Sequence, residues 1–288
     1  MHGLVIIGTS AGTAELEVAA AVCAAASEDS SIPAAFVASA VGRAAEQAID
    51  LLAEASGTPR ERLVERLYEG QAPPLLAARL QGSAEPAPAA LLGAAGAAAD
   101  GADLLAVATS GGLLAPLAAR YSNRDLALEL GVPAVVAVTA GPDMLAQTLL
   151  TLEAATGAGV AVPAVVISAW PDTPPRVLLE ERALLERQAA VAVLTLPADA
   201  TRSAAALADA ARRWPVDEWA RAAAVPPPVV VEEPAARRLT LEPYAAWDAH
   251  PVGDPRGTPR ASIMDAMLEI VGTEGPMTAS RAYALYNR

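Results

Sequence analysis

The residues with the most chemical meaning lie near the start of the chain, in Gly8-Thr9-Ser10-Ala11-Gly12-Thr13, followed at once by Ala14, Glu15 and Leu16. Gly8 and Gly12 permit a tight turn between an apolar strand and a helix, the shape of a loop that cradles phosphate. A loop that works on nucleotide phosphates also needs a lysine for the β/γ-phosphates and a Ser/Thr hydroxyl for magnesium directly after its glycines. Glu15 and Leu16 stand at those two places. An ionised carboxylate repels a polyphosphate, and leucine offers no oxygen to a hard cation. The pattern therefore predicts an anion loop that keeps its shape and has lost its working groups.

A second turn, Thr109-Ser110-Gly111-Gly112, follows the apolar run Ala102–Ala108. Ligands of open parallel sheets bind at the carboxyl ends of strands, so this turn is expected beside the first. Trp170, in the loop after a later strand, reads either as a base-stacking platform or as a cover for the core. Gly8, Thr9, Ser10, Gly12, Thr13, Thr109, Ser110, Gly111, Gly112 and Trp170 thus make a vestigial nucleotide site. Residual anion binding through backbone N–H groups is set against plain strand-to-helix turns kept for packing. Glu15 and Glu17 in the first helical turn are expected to stabilise the helix dipole and to occupy the anion's place. No catalytic set stands out: Ser10 has no recognisable histidine partner, and His2 and His250 share no ligand spacing. Cys23, the only cysteine, reads as a buried structural thiol, and no metal site is expected.

The elements that must position these residues read in order. Leu4–Ile7 is a continuous apolar strand of the kind a parallel sheet buries on both faces, and an alanine-rich helix follows it. Strands are expected at Pro33–Val41, Ala102–Ala108, Val132–Thr139, Ala164–Ser168 and Ala192–Leu196. Helices are expected at 42–55, at 58–67 with Thr58 as cap, at 141–155 with Pro142 and Asp143 in its first turn, at 177–188 and at 202–223. Alternation of this kind predicts an α/β fold with a doubly wound, mostly parallel sheet. Pro226–Pro228 and Glu232–Pro234 read as a stiff connector. The expected division is an α/β domain over 1–200, a helix and linker over 201–241, and a short helical appendage over 242–288.

In that appendage Ser262–Val271 and Thr278–Tyr286 form two helices about a break at Glu274-Gly275-Pro276, with Ser262 and Asp265 spaced like a capping box. Helix, turn, helix is how a helix-turn-helix or winged-helix unit begins. The stripe Ile263, Met267, Ile270 and Val271 reads as a core face in preference to a partner groove.

Composition narrows the functions. All 20 basic residues are arginine, so no lysine-dependent step runs on this chain alone. The net charge of −13 argues against broad contact with nucleic acid or an anionic membrane, which leaves DNA contact to a local patch such as Arg237, Arg238, Arg256 and Arg260. The strand at the N-terminus follows no basic leader and no apolar run reaches a membrane span, so a cytoplasmic protein is expected.

Residues 4 to about 200 resemble dethiobiotin synthetase, a P-loop enzyme of biotin synthesis. Gly8–Gly12 matches the first half of its GTDTGVGKT loop. Arg66–Leu80 is similar to its RYPDPLAPATAARL segment, Asp103–Leu113 to its VVEGAGGL strand and loop, Gly131–Thr148 to its "PV" strand and helix, and Ser168–Pro171 to the loop after its next strand. The resemblance implies a doubly wound sheet, a homodimer, and binding of ATP, magnesium and a diamino acid for ureido ring closure with carbon dioxide. The departures fall on the chemistry. Ser10 replaces the family's aspartate, Glu15 its loop lysine and Leu16 its magnesium threonine; no lysine occurs near Val37–Gly42, and Thr109 replaces the acid before the Gly-Gly turn. The tail from Glu242 is similar to the first part of a winged-helix-like domain of bacterial, especially actinobacterial, multidomain proteins, through Trp247, Asp254-Pro255-Arg256 and Glu274-Gly275-Pro276.

The sequence-based expectation is a catalytically degenerate member, a pseudoenzyme serving as a binding, assembly or regulatory module with no cofactor. Its partner would be a protein or a second copy, with no membrane partner and nucleic acid only through the C-terminal segment. The alternative is a divergent ATP-dependent ligase, using ATP and Mg, in which arginines such as Arg43 or Arg124 replace the lysines. A DNA-binding regulator is the third reading.

Overall fold

The computed structural model describes residues 2–223 apart from 11, 13, 43, 65, 70 and 71, and residues 245–287 apart from 249. Thr13, Arg43, the proline connector and Arg237–Arg238 lie outside the described residues. The chain divides into two compact units, Met1–Val230 and Val231–Arg288.

In the first unit the order is β1 (Gly3–Gly8), α1 (Ala14–Glu28), β2 (Pro33–Val37), β3 (Ala40–Val41), α2 (Ala44–Ser56), α3 (Arg60–Leu63), β4 (Leu67–Tyr68), α4 (Pro74–Leu80) and α5 (Pro88–Ala98). It continues with β5 (Leu104–Gly112), β6 (Pro116–Ala118), β7 (Tyr121–Ser122), α6 (Asn123–Leu130), β8 (Ala134–Thr139), α7 (Met144–Gly157), β9 (Ala164–Trp170), α8 (Arg176–Gln188), β10 (Ala192–Pro197), α9 (Ala204–Ala211) and α10 (Val216–Ala220). Six strands form one sheet in the order β10-β9-β8-β1-β5-β2, all pairs parallel. The doubly wound α/β expectation is met. Each central strand is a run of Val, Ile, Leu and Ala with both faces covered, which is why period-2 alternation is missing from the sequence.

The crossover from β1 runs to β2 on one side and the later strands extend on the other, so β1 is where the order reverses. Its carboxyl end is therefore the natural crevice for a ligand. On one face α1 packs with α2, α9 and α10 in a core that includes Leu16, Val18, Val22, Cys23, Leu52, Trp214 and Trp219. Helix α1 is apolar nearly all round because it is sandwiched, and alanine lets the surrounding layers approach it closely. The opposite face is closed by two clusters, one around Phe36, Leu91, Leu117 and Leu126 and one around Val136, Met144, Ile167 and Leu185.

Several expectations are corrected. Residues 204–220 pack into the core of the first unit, so that unit runs past residue 200. The strand expected over Pro33–Val41 divides into β2 and β3. Thr58 caps no helix: its hydroxyl oxygen accepts from the Ala35 N–H of β2 at 3.1 Å, satisfying a free sheet edge, and α3 is a single turn. Pro142 and Asp143 precede α7, with Asp143 held at φ 62°. The strand expected to end at Ala108 continues through Gly112.

In the second unit α11 (Arg260–Glu274) and α12 (Ala279–Tyr286) join about Gly275, which adopts φ 82°. Trp247, Ala266, Ile270, Leu285 and Tyr286 form the core, flanked by Ile263 and Met267, while Val271 is exposed. The Trp247 indole N–H donates to Glu269 at 3.1 Å. Helix α11 starts at Arg260 behind Pro259, so Ser262 and Asp265 lie inside it and form no capping box. Among the described residues no helix is long and apolar enough to cross a membrane.

Candidate functional site

The two glycine turns meet. Parallel pairing sets Gly8 of β1 opposite Gly112 of β5 and Ala137 of β8, with a register shift between Ile6 and Gly8. A side chain on Gly8 would begin 3.0 Å from the Ser10 carbonyl and 3.1 Å from both Glu15 Oε2 and the Gly111 carbonyl. One on Gly112 would begin 3.3 Å from the Thr9 carbonyl. Close backbone approach favours glycine at Gly8 and Gly112, and a φ of 82° requires it at Gly111.

Glu15 opens the first turn of α1 with its carboxyl turned inward, leaving the residue 1% exposed. Oε1 accepts the Gly111 N–H at 2.8 Å, a contact between residues 96 apart. Oε2 is buried and has no hydrogen-bond partner among the described residues. Burial pushes this carboxyl up to about 8, against the lowering effect of the Gly111 and Glu15 N–H groups, with a further push from Glu17. At neutral pH Glu15 is therefore uncharged. It gives no stabilisation to the helix dipole, and the repulsion expected of a carboxylate at this place is absent, because that expectation took the ordinary carboxylate range for granted.

Glu17 points to the other side, where its Oε2 accepts the Ser168 hydroxyl at 2.5 Å at the end of β9. Leu16 faces into the core with 2% exposure, where its burial contributes roughly 2 kcal/mol. The place of a cation-binding hydroxyl has become part of the packing.

Thr109 is buried, and its hydroxyl donates to the Ile6 carbonyl at 3.0 Å, filling the gap the register shift leaves in the ladder. The turn that follows is held by Asn123, a fully buried residue that the sequence reading passed over. Its Nδ2 donates to the Ser110 carbonyl at 3.1 Å and the Gly112 carbonyl at 2.9 Å. Asn123 is placed by its own neighbours: the Ser122 N–H donates to Asp125 at 2.8 Å and the Arg124 N–H to the Leu113 carbonyl at 2.8 Å. The signal for it was the Ser122–Asp125 spacing, which marks a helix start.

Of the remaining expected site residues, Thr9 is half-buried and its hydroxyl approaches Gln147 Oε1 of α7 at 3.4 Å. Ser10 and Gly12 are exposed, and Ser110 and Gly112 are half-buried. Trp170 ends β9, where it packs on the α7–α8 side of the core beneath Arg182, whose guanidinium carbon lies 5.8 Å from the ring centre. Gly8, Thr9, Ser10, Gly111 and Gly112 are thus brought together, whereas Trp170 stands two strands away. Arg124 adjoins the Gly-Gly turn, its guanidinium paired with Asp125 at 2.9 Å. Among the described residues no group of three or more His, Cys, Asp or Glu is placed to hold a metal.

The arrangement suits an anion better than a cation: glycine turns converge on a helix N-terminus, and in its first turn the neutral Glu15 carboxyl keeps one oxygen without a hydrogen-bond partner among the described residues. A family model described as an AAA domain matches residues 2–202. The chain is 34% identical over 214 residues to the ATP-dependent dethiobiotin synthetase BioD of Anaeromyxobacter dehalogenans (strain 2CP-C), which covers 72% of this chain and 96% of that protein. Over 98 residues it is 45% identical to the protein of the same name from Mycobacterium leprae (strain Br4923), covering 34% and 43%. Among solved structures, the septum site-determining protein MinD of Pyrococcus horikoshii OT3, complexed with Mg-ADP, aligns at a TM-score of 0.45 and 13% identity over 76% of this chain and 94% of that one. The expectation of a chain without a cofactor is overturned by the synthetases: they are ATP-dependent, and the first aligns over almost its full length.

Proposed function

Because this chain belongs to the dethiobiotin synthetase family, we propose that it is a divergent, ATP-dependent ligase of that type, acting on a diamino acid to close a ureido ring. The observation that carries the reading is the meeting of Gly8 with Gly111 and Gly112 at the carboxyl ends of β1 and β5, in a chain that aligns with a synthetase over 96% of the latter's length. ATP would supply the activated phosphoryl group. Its phosphates would be taken by backbone N–H groups at the N-terminus of α1, beside Gly8. Positive charge is the missing part, and Arg124 is the described arginine beside the turn. Leu16 gives magnesium no ligand, so no step is assigned to the metal.

Removing one preorganised charge or donor from such a site typically lowers kcat by about 10²–10³-fold. The ligase is therefore expected to be slow. Purified chain supplied with MgATP, bicarbonate and the family's diamino acid should form ureido product that mass spectrometry detects over hours, and the product should vanish without ATP.

A second reading is favoured by Glu15 and Leu16 specifically: a nucleotide-binding module that no longer turns over and serves assembly or regulation in the cytoplasm, with a second copy of the chain or another protein as partner. ATP binding by calorimetry with no product in the same preparation would select it and reject the ligase.

A further inference from the structure

Glu15 Oε2 is an orphan in a telling place. It is buried at the N-terminus of the 15-residue helix α1, it has no hydrogen-bond partner among the described residues, and it lies against Gly8 at the foot of the turn. Because Oε1 already accepts the Gly111 N–H, the proton of the neutral acid resides on Oε2, as a hydroxyl with no acceptor among the described residues. Buried donors in native proteins nearly always have an acceptor, so a missing acceptor points to a ligand atom. Ser10 is exposed, and its carbonyl lies beside the same point over Gly8 that Oε2 approaches.

We propose that Glu15 takes the part a lysine plays in other phosphate loops, as a neutral donor: with Oε1 fixed by Gly111, its Oε2 hydroxyl donates a hydrogen bond to a phosphate oxygen of the nucleotide seated over Gly8. The proposal rests on the ATP reading above. A glutamic acid in this role binds phosphate without supplying charge, which agrees with a loop that has no cation of its own among the described residues. It also makes binding depend on the proton. Burial holds the carboxyl neutral up to about 8, and Glu17 is the charged group that acts on it. Strands β1, β5, β8 and β9 carry no ionisable side chain. The ionisable side chains of α2, α9 and α10, packed on the same helix, are Glu46, Asp50, Glu54, Asp209, Asp217 and Glu218, and Arg212 and Arg213 follow α9; all are exposed.

The test is calorimetric titration of the full chain and of Glu15→Gln and Glu15→Met with MgATP and, separately, with inorganic pyrophosphate, from pH 6.5 to 9.5. Glutamine keeps a donor at the same place and does not titrate; methionine keeps the volume and has no donor. At pH 7 the wild type and Glu15→Gln should bind within about threefold of each other, and Glu15→Met ~10-fold or more weaker. Above about 8 the wild type should lose ~10-fold in affinity per pH unit while Glu15→Gln stays flat. Should Glu15→Met fail to fold, the contrast between wild type and Glu15→Gln across pH decides alone. Equal ATP affinity in all three proteins at every pH would overturn the donor role and leave the ATP reading intact. Pyrophosphate binding that follows the expected pattern, with no heat from ATP, would sustain the donor and remove the nucleotide. No binding of either ligand by wild type or Glu15→Gln would overturn the proposal.

Discussion

Two glycine turns meet at the carboxyl ends of β1 and β5, and two clamps of opposite kind hold the place where they meet. The turn after β5 is held by Asn123, a buried amide that bonds the Ser110 and Gly112 carbonyls at every pH. Glu15, at the start of the helix that follows the β1 turn, is the second clamp: a buried acid that accepts the Gly111 N–H of that same β5 segment, ties it to α1, and is neutral only below about 8. Both satisfy backbone groups that a closely packed strand end would otherwise leave unpaired. The difference is that one clamp is permanent and the other carries a proton, so of the two it is the Glu15 clamp whose hold should change with pH between about 4.5 and 8.

The largest effect should come from making the two clamps alike. Glu15→Gln replaces the acid with an amide of nearly the same shape. The folded wild type keeps its proton up to about 8 while the unfolded chain releases it near 4.5, so wild-type stability is fully present below the lower value and is lost as pH rises toward the higher one. Each pH unit in that window is worth about 1.4 kcal/mol. Glu15→Gln should therefore match the wild type near pH 4 and exceed it by on the order of 4 kcal/mol at pH 8, measured by urea unfolding across pH. A constant difference between the two proteins would mean that Glu15 titrates in the ordinary carboxylate range and that the contrast between the clamps is false.

Breaking the permanent clamp should cost somewhat less and show no such pH dependence. Asn123→Leu removes the donor to two carbonyls at the Gly-Gly turn. Part of that loss is offset, because Asn123 Oδ1 is itself buried without a partner among the described residues. A destabilisation of about 2–3 kcal/mol, equal at pH 5 and pH 8, is expected from urea unfolding. A loss that grows with pH would tie Asn123 to the Glu15 proton and merge the two clamps into one network.

What could be read from the sequence follows the same line. The strands were legible, since runs such as Leu4–Ile7 and Val165–Ile167 carry their burial in their composition, and the glycines marked both turns. The clamps were not. Glu15 reads as a charge until the packing around it removes water and a backbone N–H 96 positions away turns its carboxyl inward, and Asn123 reads as an ordinary helix-start residue until its amide reaches back 11 positions to Gly112. The docking of α9 and α10 on α1 was hidden for another reason: Ala-rich helices carry little directional pattern, and Trp214 and Trp219 mark burial without saying against what. The sequence also placed Thr109 in a ligand-lining turn, whereas the strand continues through it.

Thr109 supplies the smallest and most local test, because it joins the two turns without clamping either. Its hydroxyl donates to the Ile6 carbonyl where the β1–β5 register shifts, so it repairs the ladder just before Gly8 meets Gly112. Thr109→Val keeps the β-branched shape in a fully packed strand and removes only that donor, leaving one buried carbonyl short of a partner. A loss of about 1 kcal/mol is expected in urea unfolding, with the Glu15-linked pH dependence unchanged, since the Gly111 N–H would still be held. If the substitution also flattened that pH dependence, the position of Gly111 would be set by the strand ladder through Thr109, and the acid clamp would be a consequence of the register shift.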